Sequence, residues 1–95
     1  MLHHHSTMIT LEQAFLTLET ENEVTMFLKD LCTPAEIKAM QERWRVCQLL
    51  YEGEHSYADI HNETGVSITT VGRVARFLKD EQYGGYRAML EKLAK

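Results

Sequence analysis

The stretch Tyr57-Ala58-Asp59-Ile60-His61-Asn62-Glu63-Thr64-Gly65-Val66-Ser67-Ile68-Thr69-Thr70-Val71-Gly72-Arg73-Val74 decides how this chain folds. It reads as two short helices, residues 56–64 and 67 to about 79, separated by Gly65-Val66. Glycine adopts the left-handed backbone that ends one helix and starts the next at a steep angle. Ile60 then faces inward from the first helix and Val66 plugs the gap. Val71, Val74 and Leu78 pin the second helix to a core, which is the pattern of a helix-turn-helix. Thr69, Thr70, Gly72, Arg73 and Arg76 remain, and these are expected to point outward.

That outward face carries chemistry. Small hydroxyls let a backbone approach closely, and arginines reach guanine edges or phosphates in a major groove. Ser67 opens the second helix, whose free backbone N–H groups can hold a phosphate. His61 stands where many such motifs have alanine, so the spacing predicts a variant crossing in which His61 projects outward toward a phosphate. Two short helices around a glycine also occur as plain packing units. What favours nucleic acid is charge: Ser67 to Lys79 holds Arg73, Arg76 and Lys79 and no acid.

The whole chain has a formal charge of -4, which looks unsuited to a polyanion. The acids concentrate elsewhere: Glu12, Glu19, Glu21, Glu23 and Asp30 face only Lys29 in residues 1–32, and the remainder is neutral. Local charge governs phosphate contact over a Debye length of about 10 Å.

Outward from the motif, apolar residues recur at helical spacing, and one proline and five glycines leave few breaks. Six helices and no strands are expected. Thr10 with Gln13 caps a first helix carrying Leu11, Ala14, Phe15 and Leu18 on one stripe. Thr20 with Glu23 caps a second, with Val24, Phe27, Leu28 and Leu31. Thr33-Pro34 with Glu36 is the clearest start, opening a helix from Pro34 to about Glu52 that stops at Gly53. Ile37, Met40, Trp44, Cys47 and Tyr51 fall on one face of it, while Val46, Leu49 and Leu50 add apolar surface on others. A helix so apolar around its circumference needs cover from several sides, and a second subunit is the natural cover in 95 residues. A last helix near Tyr86 to Leu93 carries Tyr86, Met89, Leu90 and Leu93.

Composition bounds the rest. With 44% hydrophobic and 25% charged residues, the chain suits a folded globular protein. No apolar run approaches the roughly 20 residues of a membrane span, and Met1 to Thr10 lacks a secretory core, so the expected location is the cytoplasm. Cys32 and Cys47, with no CxxC or paired histidines, read as reduced, buried small residues and not as metal ligands. His3-His4-His5 reads as a tag remnant. Residues 1–9 are expected to be a disordered terminus, and 10–95 a single helical domain with the helix-turn-helix at about 56–79.

The same residues resemble the Trp repressor family, and within it the YerC/YecD-like branch. The resemblance runs from Leu31 to about Leu93, through Leu31-Cys32-Thr33-Pro34, Glu36, Arg43-Trp44-Arg45-Val46, Leu49-Leu50, Gly53-Glu54 and Gly65 to Arg73. Arg76-Phe77-Leu78 followed by Tyr83-Gly84-Gly85-Tyr86 points to the branch. The resemblance implies an all-α, six-helix fold whose homodimer is interwoven through the first three helices. Its two recognition helices would read successive major grooves of double-stranded DNA roughly 34 Å apart. By matched position, Ile68, Thr69, Thr70, Gly72 and Arg73 face DNA, with Tyr57, Ala58 and His61 near its backbone.

The resemblance also implies an effector pocket bounded by Thr33, Arg43, Arg73, Val74 and Phe77, where the repressor holds tryptophan between two arginines. Val74 stands in place of glycine there, and Phe77 in place of the serine that meets the ligand's amino group. Those departures remove space and a polar anchor, so tryptophan is not the expected co-repressor and no cofactor is assigned. Arg43 has an alternative role as half of an ion pair with a nearby acid. The expected function is sequence-specific DNA binding and transcriptional regulation, with repression as the sense. The rival is a dimeric protein-interaction module. An enzyme is not expected, because no nucleophile-base pair, metal set or phosphate loop is visible.

Overall fold

The protein is seen as a computed structural model that describes residues 8–94; the His3-His4-His5 run lies outside them. Six helices and no strand occur among the described residues: α1 Leu11–Leu16, α2 Glu21–Leu31, α3 Pro34–Glu52, α4 Tyr57–Thr64, α5 Ile68–Lys79 and α6 Gly85–Leu93. Backbone proximity divides the chain into two units, residues 1–37 and 38–95.

In the first unit, side chains set every helix start. Thr10 Oγ1 accepts from Gln13 N at 3.1 Å, and the Gln13 side chain accepts from Thr10 N at 2.8 Å. This reciprocal pair satisfies two backbone donors that the helix itself leaves open. α1 is shorter than its apolar stripe. Thr17 N bonds Ala14 O and its hydroxyl donates to the same carbonyl at 2.7 Å, closing the last turn and leaving Leu18 outside the helix. At α2 the expected box is only half made. Thr20 Oγ1 accepts from Glu23 N, but the Glu23 carboxylate turns to Glu19 N at 2.8 Å, one residue earlier. At α3, Thr33 and Glu36 exchange bonds at 3.1 and 2.8 Å. The backbone bond from Thr33 holds the Glu36 carboxyl below its usual range.

Neither α1 nor α2 buries a residue. Phe15 and Phe27 meet edge to face at 5.3 Å between centroids, yet Leu16 is 85% exposed, and Leu11, Met26 and Leu31 are exposed as well. Isolated short helices gain little from propensity alone and depend on burying such a face.

The second unit contains the core: Val46, Cys47 and Leu50 of α3, Ile60 of α4, Val66 of the turn, Val71, Val74, Ala75 and Leu78 of α5, and Leu90 of α6. Ile60, Val71 and Val74 are fully buried, each contributing on the order of 1.5–3 kcal/mol of apolar burial. Burial also pushes the Cys47 thiol up to about 11. α3 ends where Gly53 takes φ 78°, and the Arg87 guanidinium of α6 donates to Leu78 O at 3.0 Å, tying α6 to the end of α5. Met89 and Leu93 of the α6 stripe stay exposed, as does Tyr51 of α3.

Candidate nucleic-acid interface

α4, the turn and α5 form a bonded unit. Ser56 and Asp59 make a reciprocal capping box at 3.0 and 3.1 Å, a signature legible in the sequence as Ser-x-x-acid but passed over there. The bonds from Ser56 hold the Asp59 carboxyl below its usual range. Just upstream, His55 Nε2 bonds the Glu52 carboxylate at 2.8 Å, which raises the imidazole above its ordinary value. At the turn, Gly65 takes φ 79° and its N–H donates to His61 O at 2.8 Å. Thr64 Oγ1 donates to Ile60 O at 2.6 Å and accepts from Val66 N at 3.0 Å. The left-handed glycine and the threonine hydroxyl together fix the angle at which α5 leaves α4.

His61 completes this brace. Its Nδ1 lies 2.8 Å from Val66 O; a carbonyl only accepts, so Nδ1 carries the proton. The ring is therefore held across the turn. In its neutral form it offers only the Nε2 lone pair, so a phosphate contact from His61 requires a protonated ring.

The placement of the other candidate residues follows from α5. Ser67 is its N-cap, accepting from Thr70 N at 3.1 Å and donating to Thr70 Oγ1 at 3.0 Å. Ile68, Thr69, Arg73 and Arg76 are exposed, Thr70 and Gly72 are half-buried, and Tyr57 and Ala58 are exposed on α4. A Cβ built on Gly72 meets nothing within 4 Å, so the backbone here is bare. The result is a helix with valines, Ala75 and Leu78 inward and hydroxyls, glycine and arginines outward. No acid lies between Ser67 and Lys79, so the charged side chains of α5 itself are all cationic, with Arg76 facing Glu81 just beyond its end.

The expected effector residues of the second unit divide between two clefts and the core. Arg43 and Arg73 come together on one cleft of about 340 Å³, with Met40, Trp44 and Tyr86. Val74 is not part of its lining; it is fully buried in the core. Phe77 instead lines an adjoining cleft of about 420 Å³ with Arg73, Tyr83, Gly84, Gly85 and Tyr86. Thr33, in the first unit, is occupied as the α3 cap. Among the described residues the ion pairs are Glu52–His55 and Arg76–Glu81, the latter at 3.7 Å, and Arg43 belongs to neither. Sequence reasoning missed one cluster. Phe77 and Tyr83 are stacked at 6.0 Å with rings 7° apart, and the Arg73 and Arg76 guanidinium carbons lie 4.2 and 5.1 Å from the Phe77 centroid.

Two helices joined by a left-handed glycine, the second carrying exposed arginines and no acid, define a helix-turn-helix protein. The chain belongs to the Trp repressor family, whose model matches residues 6–94. It is 41% identical over 71 residues to the uncharacterized protein YerC of Bacillus subtilis strain 168, covering 72% of this chain and 67% of that one. A TrpR-like protein of Eubacterium eligens has the same fold, with TM-score 0.81 and 37% identity over 88% of this chain and 84% of the other. A Staphylococcus aureus chain, classed by inference as a Trp repressor, matches at TM-score 0.80 and 34% identity over 88% and 82%.

Proposed function

We propose that this protein is a homodimeric, sequence-specific binder of double-stranded DNA that represses transcription, with α5 as its recognition helix. The single observation that carries the reading is the composition of the exposed α5 face. Thr69, Arg73 and Arg76 lie outward beside the half-buried, unobstructed Gly72, while every apolar anchor of the helix except Ile68 lies inward or half-buried. Arg73 and Arg76 meet guanine or phosphate, and the α5 N-terminus at Ser67 faces a phosphate. Ile68, Thr69, Thr70 and Gly72 pack along the groove, with Tyr57, Ala58 and His61 toward the backbone.

Dimerisation supplies what the first unit lacks. Leu16, Met26 and Leu31 are exposed on helices that bury nothing, and the first helices of a second copy would cover them. No helix of the described residues is long and apolar enough to cross a membrane, and the proposed location is the cytoplasm, with DNA. The activity is binding and not catalysis. Tryptophan is not its effector: Val74 is committed to the core and Phe77 sits beneath Arg73.

Selection of bound fragments from random duplex DNA tests this reading. The expected result is a near-palindromic site, against which Arg73→Ala weakens binding by about 1–3 kcal/mol and relaxes preference at one position of each half-site. Enrichment of no sequence, together with equal binding by the variant, would transfer the α5 face to a protein partner.

A further inference from the structure

The aromatic cluster at the far end of α5 has no role in the core. Tyr83 is 83% exposed, and Phe77 is only half-buried. An exposed tyrosine is usually free to turn; this one lies parallel to Phe77 at 6.0 Å. On either side of it the backbone is defined, because Glu81 N closes the end of α5 on Arg76 O at 3.1 Å and Gly84 takes φ 73° at the start of α6. On the Phe77 ring sit both exposed arginines of the recognition helix, at 4.2 and 5.1 Å. The second is also within 3.7 Å of Glu81 Oε1.

A guanidinium is attracted to the face of an aromatic ring, and parallel rings hold one another in register. An arginine on an exposed helix otherwise samples many rotamers, and ordering it on DNA costs about 0.5–1.5 kcal/mol. We infer that Phe77 and Tyr83 form an aromatic clamp that positions Arg73 and Arg76 for the DNA groove before any ligand or DNA arrives. The clamp rests on the DNA-binding reading above and deepens it. Phe77 and Tyr83 are positioning residues: they act through the arginines and need not touch DNA. Arg73 also borders the cleft that it shares with Arg43, and there the orientation of Arg73 is already set from the Phe77 side. No small molecule is then needed to fix it.

Two measurements on the full chain separate the clamp from the reading beneath it. In the free protein, the Arg73 and Arg76 side-chain Nε–Hε resonances are expected to show ring-current shifts that collapse in Phe77→Leu, weaken in Tyr83→Ala and persist in Tyr83→Phe. On a duplex selected with the parent protein, Phe77→Leu and Tyr83→Ala are each expected to lose roughly two- to fivefold in affinity per released arginine, and Tyr83→Phe to bind like the parent. Because Tyr83 is exposed, its truncation leaves the melting midpoint in place. Combined with Arg73→Ala, the Tyr83→Ala loss should shrink, since the group it positions is gone. Resonances unmoved by Phe77→Leu overturn the clamp whether or not DNA binds. So do losses that simply add to that of Arg73→Ala. A parent protein that binds no duplex overturns the DNA reading instead, and the resonances still decide the clamp.

Discussion

Gly72→Ala should make the protein more stable and worse at binding DNA, and the two effects come from the same bare stretch of α5. Gly72 lies in the helix interior with ordinary negative φ, so an L side chain is unstrained there. A new Cβ meets no heavy atom within 4 Å, so nothing in the chain must shift to admit it. What remains is helix propensity, which favours alanine over glycine by about 0.8–1 kcal/mol. For a domain of this size that raises the melting midpoint by roughly 4–8 °C. On the DNA side, the methyl group occupies the space through which the backbone would approach the groove. A loss of about fivefold is expected, the lower end of one good base contact at about 1 kcal/mol. Thermal melts followed by circular dichroism, and fluorescence anisotropy on a selected duplex, read the two quantities. A stabilised variant with parental affinity would show that DNA does not approach α5 at Gly72. A destabilised one would show that this segment of helix is packed against something. Gly65→Ala gives the opposite sign: at φ 79° the alanine pays about 1–2 kcal/mol of left-handed strain. A restricted unfolded chain offsets about 0.4–1 kcal/mol of that strain.

Further outcomes follow from the titrating groups. The Asp59 carboxyl is lowered by its bonds to Ser56, so its contribution is present above its unfolded value near 3.8 and lost as pH falls through the folded value. Asp59→Ala should flatten that acid limb in urea titrations; an unchanged limb would contradict the capping role. The Glu52–His55 pair runs the other way, stabilising below an unfolded value near 6.5 and fading as pH rises through the raised one, which His55→Ala should remove from the neutral-pH stability profile. Cys47, fully buried and pushed up to about 11, should resist a thiol reagent at pH 8 in the native state. Cys32, half-buried, should react first; equal rates would refute the burial of Cys47.

The elements most legible in the sequence were those whose ends are set by local chemistry. Thr33-Pro34 with Glu36, and the stop at Gly53, gave α3 from Pro34 to Glu52. Gly65 marked the turn, and the inward set of Ile60, Val66, Val71, Val74 and Leu78 followed from helical spacing around it. What escaped was set by competition or by distance. Leu18 fits the α1 stripe, but Thr17 closes the helix first. Glu23 has two backbone donors within reach and takes Glu19. His61 is exposed, but the bond from its Nδ1 to the Val66 carbonyl spans the turn and has no sequence signature. The stack of Phe77 on Tyr83 joins residues across a loop with no fixed period, so no spacing rule announces it. The pairing of Arg43 with Arg73 on one cleft came from family resemblance, not from pattern. The exposed leucines of α1 and α2 were legible as apolar, and the proposed dimer is what would cover them.

Salt dependence of duplex binding tests the central claim most directly. If Arg73 and Arg76 of each of two heads neutralise phosphates, the logarithm of the affinity should fall with the logarithm of salt at a slope near -3.6. That is a loss of about 10²-fold between 50 and 200 mM. An affinity that ignores this change, or no binding at 50 mM salt, would contradict the assignment of α5 to DNA.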